Sequence, residues 1–131
     1  MTITDSALSL NVADVEASAD FAVRHLGFTQ VMAADGFASL TRDDAGFNLV
    51  FLRTGLGTFK PAAIAGEAGH GMLVVFVVDA VDDEYERLRG EGVDIVTPVE
   101  TEPWGERYFQ VRDPNGIHYQ FVQWMSRPED G

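Results

Sequence analysis

Residues 10–31 read LNVADVEASADFAVRHLGFTQV, and residues 75–96 read VFVVDAVDDEYERLRGEGVDIV. Both leave an apolar strand, reach an aspartate, run through a helical stripe and stop at a glycine. In the first, Leu8, Leu10 and Val12 alternate with Ser9 and Asn11, the two-residue period of a half-buried strand. Asp14 is a candidate N-cap, Val15, Ala19, Ala22, Val23 and Leu26 recur at helical spacing, and Gly27 is the stop. In the second, a strand over 72–78 leads to Asp79 as the candidate cap, a stripe of Val81, Tyr85 and Leu88, and stops at Gly90 and Gly92. An offset of 65 residues lays Asp14 on Asp79, Gly27 on Gly92, Phe28 on Val93 and Val31 on Val96. The shared distance from cap to glycine favours an internal duplication over two unrelated strand–helix units.

Each helix is followed by three more strand-like runs. In the first half these are 28–33, 37–41 and 47–53, separated by Asp35-Gly36 and by Asp43-Asp44-Ala45-Gly46. In the second they are 93–97, 107–112 and 117–124, the last two joined by the turn Asp113-Pro114-Asn115-Gly116. One helix cannot cover both faces of a four-stranded sheet, so the other face must border a cavity or a partner. The expected fold is therefore α+β. Two βαβββ modules, about 5–54 and 71–125, form a curved eight-stranded mixed sheet around a cavity, with the helices on the outer face. At 131 residues the chain fits one domain. The glycine-rich stretch 55–70, with Phe59 and Pro61, reads as a linker or a flap over the cavity rather than a domain boundary.

The composition narrows the possible partners. Nine Lys and Arg stand against 21 Asp and Glu, a formal net charge of −12. Such a surface repels phosphate backbones and anionic lipid, so neither nucleic acid nor membrane is expected as a partner. No cysteine is present, which excludes thiolate catalysis and disulfide frameworks. The first residues show no basic segment leading into an apolar one, and the longest apolar run, 72–78, is too short to span a bilayer. A cytoplasmic protein is the expectation.

Candidate chemistry is sparse. Of the three histidines, His25 belongs in the last helical turn, where it complements the dipole, and His70 falls in the linker, where solvation is expected. His118 shares a strand face with Gln120 and Val122, open either to a structural hydrogen bond or to ligand contact. The serines lack a nucleophile-elbow context, and no metal-ligand cluster emerges. The acidic run Asp82-Asp83-Glu84 and Glu86 suits a solvated helix start. Aromatics in loops are more informative. Pro103 and Gly105 limit how deeply Trp104 can bury, which leaves packing or ligand stacking, and Phe37 opens a strand after a tight turn.

The duplicated βαβββ plan resembles the vicinal oxygen chelate superfamily, which joins glyoxalases, ring-cleaving dioxygenases, fosfomycin-modifying enzymes and bleomycin-resistance proteins. Val23-Arg24-His25-Leu26-Gly27-Phe28, the stretch 36–44, and Pro103-Trp104-Gly105 leading to 111–116 resemble the bleomycin-resistance branch most. The likeness covers nearly the whole chain. It implies that the four metal-ligand positions of the enzymes fall on Ala7, Val50, Leu73 and Gln120, which cannot coordinate a divalent ion. No metal, no cofactor and no catalytic residue are therefore expected. The resemblance implies a homodimer with grooves at the subunit interface, in which Phe37 and Trp104 sandwich a flat ring. Asn11, Asn48, Tyr108, Gln110, His118 and Gln120 are further ligand-binding candidates, by strand parity or nearness to the metal positions. The implied ligand is a small natural-product antibiotic, a bleomycin-type glycopeptide or a flat polycyclic or enediyne-type compound. The alternatives are a metal-dependent lyase, transferase or dioxygenase, or a carrier for an endogenous metabolite.

Overall fold

The computed structural model describes residues 1–57, 66 and 71–125. Ser126, Phe59, His70 and most of the 55–70 linker lie outside these. The chain divides into two compact units, Met1–His70 and Gly71–Gly131, and the eight expected strands are found four in each as two mixed sheets.

In the first unit, β1 (Ala7–Val12), α1 (Val15–Leu26), β2 (Thr29–Ala34), β3 (Phe37–Thr41) and β4 (Asn48–Arg53) follow one another. The sheet order is β1-β4-β3-β2, with β1 parallel to β4 and the other pairs antiparallel. The helix covers one face, where Leu10, Val12, Ala38, Leu40, Leu49 and Phe51 are buried beneath Ala19, Ala22 and Leu26. Strand alternation puts those sheet residues on a common side and leaves their neighbours on the other.

Both ends of α1 follow the expected chemistry. Asp14 Oδ1 accepts from the Ala17 amide at 3.2 Å, and Gly27 takes the left-handed conformation with φ 71°. Arg42 adds a tertiary cap, donating from Nη1 to the Leu26 carbonyl at 2.6 Å. A Cβ on Gly27 would stand 2.6 Å from that same nitrogen. Gly27→Ala should therefore cost about 1–2 kcal/mol in chemical denaturation, from the backbone conformation plus displacement of Arg42. A neutral result would show that Arg42 swings aside freely.

The second unit repeats the order with β5 (Val74–Val77), α2 (Val81–Gly90), β6 (Asp94–Thr101), β7 (Glu106–Arg112) and β8 (His118–Trp124). Its sheet order is β5-β8-β7-β6, again with the outer β5 parallel to its neighbour. Val81 and Leu88 of α2 are buried with Val74, Phe109, Val111, Tyr119 and Phe121 of the sheet. The turn into β8 is held by the buried Asp113, whose Oδ1 accepts from the Asn115 and Ile117 amides at 2.9 Å each.

Two local expectations are corrected. Asp79 does not cap α2; Ala80 occupies that position without a side-chain cap, and the Val81 amide donates instead to Gln123 Oε1 on β8 at 3.1 Å. The orphan donor is satisfied from across the unit rather than from within the loop. β6 runs to Thr101, past the expected end at residue 97, because the ladder with β7 skips between Thr97 and Glu100. Pro98, which has no amide to donate, falls in that irregular step. No helix among the described residues is long and apolar enough to cross a membrane.

Candidate functional site

Each sheet has a face without a helix, and strand register assigns its residues in rows, since directly paired residues point the same way. In the first unit one row is Asn11, Leu52, Phe37 and Ala34, and the next is Ser9, Val50, Ser39 and Met32. Ala7 pairs with Asn48 one row further. In the second unit the rows are Val77, Val122, Tyr108 and Glu100, then Val75, Gln120, Gln110 and Thr97, then His118, Arg112 and Asp94.

The structure thus groups Asn11, Phe37 and Asn48 on one face, and Tyr108, Gln110, His118 and Gln120 on another. Their polar groups are already engaged. Asn11 Nδ2 donates to the Gly66 carbonyl at 2.7 Å, and Asn48 Nδ2 to Asp5 Oδ2 at 2.9 Å. Gln110 Nε2 donates to Gln120 Oε1 at 2.8 Å, so the two amides form a linked pair. His118 Nδ1 lies 3.0 Å from the Gly116 carbonyl. Because a carbonyl only accepts, a hydrogen bond there requires a proton on Nδ1.

Trp104 sits in the turn before β7 with 55% of its surface exposed. The turn is pinned on three sides. Gly105 donates to the Glu102 carbonyl at 2.9 Å, Glu102 to that of Glu106 at 2.8 Å, and Met125 to that of Gly105 at 2.8 Å. The indole Nε1 donates to Glu106 Oε1 at 3.3 Å. An exposed indole on a backbone held this way is a flat apolar surface that loses little freedom on binding. Phe37 is half-buried at the start of β3.

Tyr108 has a partner that strand parity within 93–97 missed, because Glu102 follows the unforeseen extension of β6. Its hydroxyl donates to Glu102 Oε1 at 2.8 Å. That hydrogen bond, then burial, then the charges of Glu102, Glu100 and Glu106, push the phenol up to about 12. The folded value lies above that of a free phenol. Any stability from this linkage is therefore complete below about pH 10 and fades as the pH climbs through about 12. The Tyr108 ring signal in an alkaline NMR titration should keep its neutral position at pH 11, and Glu102→Gln should move the midpoint down toward the ordinary value. An unmoved midpoint would remove Glu102 as the cause.

The model of the Glyoxalase/Bleomycin resistance protein/Dioxygenase superfamily matches residues 5–121. The chain belongs to this superfamily. A crystal structure of a glyoxalase/bleomycin resistance protein/dioxygenase from Nocardioides superposes with a TM-score of 0.81 at 28% identity, covering 98% of this chain and 89% of that one. TioX from Micromonospora sp. ML1 superposes with a TM-score of 0.73 at 28% identity, over 93% of this chain and 99% of TioX. An uncharacterized protein of Mycobacterium bovis is 29% identical over 89 residues, 68% of this chain and 53% of that protein. This match spans only about half the length of the relative.

The superfamily joins enzymes with binding proteins, so the fit of a metal to this member needs testing on its own side chains. Ala7 and Val50 stand on the helix-free face of the first unit and offer only hydrocarbon. Leu73 is exposed just ahead of β5 and offers the same. Gln120 is the one polar group of the four, and its oxygen accepts from Gln110. One amide oxygen shared with another donor cannot replace the hydration of a divalent cation. These positions do not fit a metal.

Proposed function

We propose that this superfamily member is a non-catalytic binding protein that sequesters a small natural-product antibiotic. The ligand class is a bleomycin-type glycopeptide or a flat polycyclic, enediyne-type compound, held in grooves at the interface of a homodimer. Phe37 and Trp104 stack on its ring system, while Tyr108, Gln110, His118 and Gln120 present hydrogen-bonding edges from one sheet face. Asn11 and Asn48 do the same from the other. The observation that carries the reading is the chemistry of Ala7, Val50, Leu73 and Gln120. Three hydrocarbon side chains and one occupied amide stand at the positions to which the resemblance assigns the metal ligands of the enzymes.

The energetics of capture suffice without a reaction. Removing roughly 400 Å² of apolar ligand surface from water at about 25 cal/mol/Å² contributes on the order of 10 kcal/mol gross. Each well-placed stack adds about 0.5–1.5 kcal/mol. Ordering and association costs take back several kcal/mol, which leaves micromolar to nanomolar affinity. A thermal-shift screen against antibiotic classes tests the reading. A ligand at a hundredfold its Kd should raise stability by about 2.7 kcal/mol, and the compound should come off unaltered. A screen in which no such antibiotic shifts the melting, while a metabolite does, would favour a metabolite carrier.

A further inference from the structure

The helix of the first unit does not cover its sheet from edge to edge. α1 lies mainly over β3 and β4, and all six residues of the edge strand β2 remain exposed. Between α1 and β2 runs an open groove of about 980 Å³. Short side chains create it. Ala19 on the helix, Ala33 on β2 and Ala38 on β3 line it, and a methyl group from each is too small to close the gap. Val15 and Val23 extend this apolar lining along the helix.

The rim is acidic. Glu16 and Asp20 border the groove from α1, and Asp35 borders it from the β2–β3 turn. The cation among the lining side chains, Arg53, is committed to Asp35 at 2.8 Å, and its guanidinium holds that carboxyl below the usual range. Asp20 is paired with Arg24 at 3.1 Å, both well exposed, an arrangement that a competing cation displaces at small cost. Ala33 and Ala38 are directly paired and face α1, whereas Ala34 and Phe37, of the adjacent row, border the groove beside the β2–β3 turn.

We propose that this groove is a second binding site, one that takes a small organic cation. Its apolar body covers the alanine floor and its ammonium or amidinium group meets Glu16 and Asp20. The volume lies at the upper end of the roughly 300–1,000 Å³ of small-molecule pockets. Charge selects the occupant. A second copy of a chain carrying −12 would bring its own carboxylates to an acidic rim. The groove has Phe37 in common with the proposed stacking pair but not Trp104, so a Trp104 variant tells failure of one site from failure of the other.

Dansylcadaverine, a naphthalene carrying a primary ammonium group, and its neutral N-acetyl derivative are suitable probes. Fluorescence titration should show the cation binding about fivefold tighter or better, from two exposed charge contacts. Amide shifts on binding should fall on 15–23 and 30–36. Ala33→Leu should weaken both probes tenfold or more. Glu16→Gln with Asp20→Asn should erase the preference for the cation while leaving the neutral probe unchanged, a readout that keeps the proposal open to refutation should the leucine variant fold poorly. Equal affinity for the two probes, shifts confined to the 104–124 region, or self-association through β2 with no probe bound there would each overturn it.

Discussion

Phe109→Ala should lower the free energy of unfolding by about 3–5 kcal/mol. The ring is fully buried on β7. It stacks on Phe121 with centroids 5.1 Å apart and meets the edge of Tyr85 from α2 at 5.2 Å. Phe121 in turn lies 6.0 Å from Phe76 of β5, so one ring bridges the helix and the strands beneath it. Truncation removes the transfer energy of the ring and opens a cavity whose walls are tied into the sheet and cannot collapse around it. Urea denaturation would measure the loss. A cost below about 1.5 kcal/mol would mean that the cluster repacks, and that α2 is held by something other than this ring.

Trp104→Ala should weaken capture of the antibiotic about 30- to 150-fold, or about 2–3 kcal/mol. The indole is half-exposed and its turn is pinned through backbone groups. Removing the side chain therefore leaves those three hydrogen bonds in place and should barely change the melting temperature of the free protein. A calorimetric titration separates the two effects. Unchanged affinity with an intact fold would move the stacking surface elsewhere. A large loss of stability would show that the ring works as packing rather than as ligand surface.

Local sequence rules succeeded where the deciding contact lay within a few residues. Asp14 and Gly27 bound α1 as expected, since a capping carboxylate and a left-handed glycine act on the adjacent turn. The buried alternation of Leu10 and Val12 was legible for the same reason. Asp79 misled because the amide it would have capped is satisfied by Gln123, which lies 42 residues away. Spacing carries no signal for such a bond. The extension of β6 past Pro98 depended on a register shift against β7, which only the paired strand reveals.

The candidate site divides in the same way. Parity placed His118 and Gln120 together, and the register adds Tyr108 and Gln110 to that face. The exposure of Trp104 was readable from its proline and glycine neighbours. What could not be read was which polar groups are already used. The pairing of Gln110 with Gln120, of Tyr108 with Glu102 and of Asn11 with Gly66 decides how much hydrogen bonding remains for a ligand. The groove beside α1 was equally hidden, because it arises from alanines on α1, β2 and β3 that meet only after folding.

Intact-mass analysis of the antibiotic recovered from its complex, with elemental analysis of the same protein sample, bears most directly on passive capture. The compound should return chemically unchanged, in stoichiometric amount, from protein whose binding is indifferent to chelators. An altered product, or near-stoichiometric iron, zinc, nickel or manganese whose removal abolishes function, would contradict it and place this chain among the enzymes of its superfamily.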